Sequence, residues 1–284
     1  MKKTLLAAAV IGALTLSGSG LAATIDGVTF PEGGYIQIGT IYEGQVTGDA
    51  TTNYTTAITA PGQELGGIGI VDAIKTAQGT VVWQDGDNGT ELTLVFGGYI
   101  TERILPIDTG GDGVPDLISI WFSGGTGTFF ADDTPNWDPN TPPADPDAVA
   151  TASDGTPWLD IVGGTTGTVC TVANGCFSGA GTVITLQSII FGGDLLVIQS
   201  GSGNGFLNVA AGSGAANAYF DTNGGPEGQD ITLGSSFNSQ TSTGAFFASG
   251  SLDLRGLTVP EPATLGLMGL GLLGLAGIRR RKHA

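Results

Sequence analysis

Apolar side chains fall on every second position in several runs of this chain. Ile36-Gln37-Ile38, Glu91-Leu92-Thr93-Leu94-Val95-Phe96, Ile118-Ser119-Ile120-Trp121-Phe122, Thr182-Val183-Ile184-Thr185-Leu186 and Ser251-Leu252-Asp253-Leu254-Arg255 all follow it. Successive side chains of a strand point to opposite faces, so this spacing predicts strands with one buried face. Residues 68–73, 80–84, 127–130, 195–199, 206–210 and 245–249 complete the expected strands, with Gly-Gly and Gly-Ser turn signals between them. The one helix-like stretch away from the termini, residues 209–219, is rich in Ala but broken by Gly212 and Gly214. Many short antiparallel strands with glycine-rich turns predict an all-β fold, an antiparallel β-sandwich or jelly-roll.

Both termini depart from this pattern. Residues 1–23 read as a secretory signal peptide: Lys2 and Lys3 first, an apolar run over 4–16, then small residues ending in Ala22-Ala23. The expected cleavage follows Ala22 or Ala23. Residues 24–258 would form the exported all-β domain. Within it, residues 132–155 concentrate Asp and Pro, including Pro135, Pro139, Pro142, Pro143 and Pro146. Proline forbids regular strand pairing there, so the segment reads as a long exposed loop or a break between two lobes.

Charge narrows the choice of partners. Residues 24–258 hold three basic residues, Lys75, Arg103 and Arg255, against 25 acidic ones, a formal charge near −22. Such a domain repels phosphate backbones, which excludes nucleic-acid binding. Fifty glycines without a Gly-X-Y period mark turns and bulges rather than collagen. The only histidine, His283, lies at the extreme C-terminus. That removes every His-dependent triad and zinc site from the domain. Cys170 and Cys176, separated by Thr-Val-Ala-Asn-Gly, are expected to form a disulfide clipping a hairpin loop. Carboxylate pairs of the glycosidase kind need two acids at defined separation, and 25 acids single out none. The chain therefore reads as a non-enzyme.

Two features suggest ligands. Asp108-Thr109-Gly110-Gly111-Asp112-Gly113-Val114-Pro115-Asp116 places oxygen donors at its first, fifth and ninth positions and the Val114 carbonyl at its seventh, a spacing suited to Ca2+. It resembles the aspartate-rich calcium loops of thrombospondin type 3 repeats and dockerins, departing at Gly110 and at Ser119. No cofactor is required, and Ca2+ is the one candidate. Asp85-Gly86-Asp87-Asn88-Gly89 is a poorer version. Among the tryptophans, Trp83 and Trp121 read as core, whereas Trp137 in the proline-rich segment is the expected exposed contact for a sugar ring.

The C-terminal tail carries the clearest signal. Val259-Pro260-Glu261-Pro262 is stiff and extended, because each proline fixes its own φ and biases the residue before it. Residues 263–278 are uncharged and apolar, a single transmembrane helix of roughly 24 Å at 1.5 Å per residue. Arg279, Arg280, Arg281 and Lys282 then stop translocation on the cytoplasmic side. This order closely resembles the PEP-CTERM sorting tail of Gram-negative bacteria. The resemblance implies export through the Sec translocon, removal of the leader by signal peptidase, and recognition of Pro260-Glu261-Pro262 by a membrane-embedded exosortase. The protein would be anchored transiently in the inner membrane, then reach the cell surface or the medium. The expected role is a surface or biofilm-matrix protein associated with exopolysaccharide. The alternatives are a carbohydrate-binding module assisted by Ca2+, then a polysaccharide hydrolase, then an ice-binding protein.

Overall fold

Backbone pairing joins most of the strands into one antiparallel sheet whose two ends meet. A computed structural model describes residues 22–47, 54–138, 147–178, 181–225, 228–239 and 246–256. Its strands are β1 (Ala23–Ile25), β2 (Val28–Phe30), β3 (Tyr35–Gln45), β4 (Glu64–Lys75), β5 (Val81–Gln84), β6 (Glu91–Ile107), β7 (Leu117–Asp132), β8 (Thr156–Gly163), β9 (Val169–Cys170), β10 (Thr182–Phe191), β11 (Ser200–Val209), β12 (Ile231–Ser239) and β13 (Ala248–Gly256). Two short helices, α1 (Asp147–Thr151) and α2 (Asn217–Phe220), complete the elements used below. The residues expected to be helical over 209–219 yield only the four-residue α2, because Gly212 and Gly214 interrupt the segment.

Eight strands run β3-β4-β6-β7-β10-β11-β12-β13 and return to β3, closing a barrel. The all-β, antiparallel expectation holds, but the sandwich or jelly-roll does not. Two separate sheets would break this circuit, for instance between β11 and β12. Instead they pair from Gly201↔Phe237 to Leu207↔Ile231. The longest strands, β6 with 17 residues and β7 with 16, bend around the wall rather than ending at a sheet margin. Their bends fall at Gly98, Gly124 and Gly125, with φ of 73°, 67° and 92°, which only glycine adopts cheaply.

One lane of the wall is shared. β10 pairs with β7 over 117–123, and β8 pairs with the same strand over 126–131. On the other flank, β11 pairs first with β10 and then with β8. The two strands meet where Thr185 donates its hydroxyl to the carbonyls of Phe122 (3.3 Å) and Gly124 (2.8 Å). Because β7 and β8 are direct neighbours, the Asp- and Pro-rich segment joins two strands of one sheet.

An eight-stranded barrel is just wide enough for side chains to fill its interior. Ile36, Ile38, Leu94, Phe122, Phe129, Leu207, Leu252 and Leu254 belong to that core. At one end Phe30, Trp158 and Phe220 close the lumen, with ring centroids 5.2–5.7 Å apart. Trp158 Nε1 donates to the Ile25 carbonyl at 3.2 Å, which fastens the β1–β2 hairpin over this end. At the other end Leu195 and Ile198 line the interior from a loop, where the spacing had predicted a strand over 195–199.

A second apolar cluster lies outside the wall. Tyr42, Ile68 and Ile70 face outward from β3 and β4 and are covered by Tyr54, Trp137, Ala148, Ala152 and Phe246. β4 is therefore buried on both faces, and α1 exists to cover it.

Candidate functional site

Among the described residues that line the barrel lumen, Glu43 alone carries a carboxyl. β3 turns Ile41 and Glu43 inward, and two cavities that share Glu43, Ser188 and Phe237 occupy the lumen. Water-sized space in each is ≈ 40 Å³, enough for a few waters. A benzene-sized guest needs roughly 150 Å³ in a protein core, so the lumen as it stands does not take an organic ligand. Burial alone pushes the Glu43 carboxyl up to about 7, and no charged group offsets it. Tyr99, the other titratable group lining this space, is pushed up by burial as well.

Two further acids are buried in the wall, with opposite outcomes. Glu91 is 2% exposed. Burial raises it to about 7, aided by Asp85 and Asp132 and opposed by the N–H groups of Asn136 and Trp137. Glu102 is also pushed up by burial, yet the hydroxyls of Ser123 and Ser178 and the N–H groups of Phe177 and Ser178 outweigh it, and its carboxyl sits below the ordinary value. This satisfied carboxylate fastens the Cys170–Cys176 loop to the wall. The disulfide is formed, and Cys170 pairs opposite Thr182 in the β9–β10 hairpin, as the spacing predicted.

The aspartate loop uses its carboxylates on itself. Asp116 accepts from the N–H groups of Thr109 and Gly110 and from the Thr109 hydroxyl. Asp108 accepts from Gly111 and Gly113, and Asp112 from the N–H of Val114. Asp108 and Asp116 approach each other on either side of Gly110. Among the described residues, no group of three or more His, Cys, Asp or Glu is placed to hold a metal ion. In the poorer loop, Asp87 accepts from the N–H of Gln84 at 3.0 Å.

Trp137 is not exposed as its proline-rich surroundings suggested. It is 6% exposed, with its ring edge-on to Tyr42 at 6.2 Å. The outward-facing apolar residues of β3 and β4 need a cover, and Trp137 supplies it. Trp83 is fully buried in the core, as expected, whereas Trp121 faces outward from β7 and is half-buried against the Cys170–Cys176 loop, with the Arg103 guanidinium 5.3 Å from its ring centroid. Spacing alone did not single out Glu43. The signal was the alternation of β3 continued past its bulge, which sets Glu43 two places after the inward Ile41.

The sorting residues, Val259, Pro260, Glu261 and Pro262 with Arg279, Arg280, Arg281 and Lys282, lie outside the described residues, as do the apolar segment 263–278 and residues 1–21 of the leader. Among the described residues no helix is long and apolar enough to cross a membrane. Residues 258–282 match the PEP-CTERM protein-sorting motif. A PEP-CTERM tail implies an exported protein that exosortase processes and that is directed to the cell surface. No curated protein and no solved structure matches the chain.

Proposed function

We propose that this is a non-catalytic matrix protein: exported through the Sec translocon, held briefly by residues 263–278, processed by exosortase beside Pro260-Glu261-Pro262, and retained among exopolysaccharide at the cell surface. The PEP-CTERM motif over residues 258–282 carries the reading. A closed barrel carrying an eight-fold excess of acidic over basic residues suits it, because it stays dispersed in water without a partner. The leader fits as well. Ala23 is buried in the core and pairs with Phe30, so cleavage after Ala22 keeps the first strand whole.

The test is cell fractionation of the wild type and of Pro260→Ala/Pro262→Ala. The wild type is expected in the surface and matrix fractions, shortened at both ends. The double variant is expected in the inner membrane at full C-terminal length. Normal processing of that variant would overturn the sorting mechanism. Loss of the wild type from the matrix when polysaccharide is washed away supports retention by glycan.

A further inference from the structure

A wide cleft lies at the end of the barrel where β13 leaves the wall. It holds ≈ 240 Å³ of space for water-sized guests, six times the space in either lumen cavity. Gly33, Gly34, Gly224, Gly225 and Gly256 form much of its wall. Tyr35 and Arg255 stand on its rim.

Register explains what gathers there. Tyr35 on β3 lies opposite Arg255 on β13 and opposite Lys75 on β4. The Arg255 guanidinium sits 4.9 Å from the Tyr35 ring centroid, and the Lys75 ammonium 6.0 Å from it. Two of the three cations between residues 24 and 258 thus flank one aromatic ring, in a domain with 25 acids. Lys75 donates to the Gln37 side chain at 2.5 Å. Asp72 feels the Lys75 charge, and Asp253 lies two places before Arg255 on the same strand. Asp230 lines the cleft, but its carboxylate is occupied by the N–H groups of Val209, Thr222 and Asn223. Arg255 is exposed, and among the described residues its guanidinium has no hydrogen bond and no acidic partner. Stacking on Tyr35 covers the face of a guanidinium and leaves its in-plane N–H donors free for a carboxylate.

We propose that this cleft binds the carboxylate-bearing sugar units of an acidic polysaccharide, with Arg255 gripping the carboxylate and Lys75 reinforcing the charge. The identity of the partner as a glycan rests on the matrix reading above. A flexible polysaccharide can lay one acidic unit into the cleft, whereas an anionic bilayer would face the negative field of the whole domain. The glycine walls carry no side chains that would hold a sugar ring away from the cleft.

Isothermal titration of the purified full-length protein with an oligouronate, and with a neutral oligoglucan of equal length, tests this. The oligouronate is expected to bind, more weakly as salt rises, and the oligoglucan not to bind. Arg255→Gln should lose about ten-fold or more in affinity, Arg255→Lys should recover part of it, and Lys75→Gln should lose a few-fold. An exposed side chain changes little in the fold, so the melting temperature of Arg255→Gln is expected to match the wild type. Equal affinity of Arg255→Gln and wild type, or equal binding of the neutral sugar, overturns the proposal. So does tighter binding of polyglutamate or of phosphatidylserine vesicles, which would assign the cleft to a peptide or a membrane. Titration of purified protein is blind to export, so failure here leaves the fractionation result standing, and the reverse holds too.

Discussion

Gly201 lies directly opposite Phe237 across the β11–β12 pair, and a β-carbon on Gly201 would come within 2.3 Å of the Phe237 ring. Gly201, Gly203 and Gly205 face inward from β11, which leaves room for large neighbours in a narrow lumen. Gly163 shows the contrasting case: a β-carbon there would meet the Gly124 carbonyl oxygen at 2.0 Å, where β8 meets β10. A ring bordered by two small cavities can shift, and a paired backbone cannot. Gly201→Ala is expected to cost about 1–2 kcal/mol, and Gly163→Ala about 3 kcal/mol. Urea denaturation of both variants checks the ranking, and the reverse order would mean that the ring is held more firmly than the seam.

The pH dependence of stability follows from Glu43. Its carboxyl titrates near 7 in the folded barrel, against 4.5 when unperturbed. Between those values the folded state holds a proton that the unfolded chain has released, so stability falls as pH rises and levels off above 7. The loss attributable to Glu43 is about 3 kcal/mol. Glu91 acts in the same direction. Melting curves at pH 5 and pH 8 should show the wild type more stable in acid, and Glu43→Gln should flatten much of the difference. An unchanged slope in that variant would mean that the lumen carboxyl is hydrated.

Glu102 sets the opposite limit. Its folded pKa is lowered, so its stabilisation is present above the ordinary carboxylate value and is lost as pH falls through the lowered one. The barrel is therefore expected to be most stable in mild acid. Cys170→Ser/Cys176→Ser releases the loop that Glu102 holds, a loop closed over a separation of six residues. Closing so small a loop is worth about 2 kcal/mol, which the melting temperature of the double variant should register. Adding Glu102→Gln to it should cost less than Glu102→Gln alone, because the latch and the loop act together.

Trp137→Ala should act on folding rather than on binding. Removing a ring packed against Tyr42, Ile68 and Ile70 costs about 3 kcal/mol or more. Oligouronate affinity, measured below the melting temperature, is expected to stay at the wild-type value.

Local pattern disclosed the strands and concealed their closure. β3, β6, β7, β10 and β13 alternate visibly, since a half-buried strand shows period two wherever it sits. β12 escaped because Ser235 occupies an inward place between Leu233 and Phe237, so its alternation falters. β8 escaped because Pro157 and Asp160 interrupt it. Alternation states which face is buried but not which strand is the neighbour, and barrel and sandwich differ only in that. Burial of Trp137 had a local sign: Ile68, Ile70 and Val71 place apolar groups on both faces of β4, which calls for cover outside as well as inside. The scarcity of cations was plain from composition. Their meeting at Tyr35 depends on the register of three strands, which no single stretch of residues contains.

Joining β11 to β12 leaves each wall strand flanked on both sides, and among the described residues only short strands such as the four residues of β5 and the two of β9 lie at a free margin. Unpaired backbone at a sheet margin is the template on which concentrated β-proteins recruit one another into fibrils. A barrel sealed in this way offers, among its described residues, little open strand backbone on which a second copy could add.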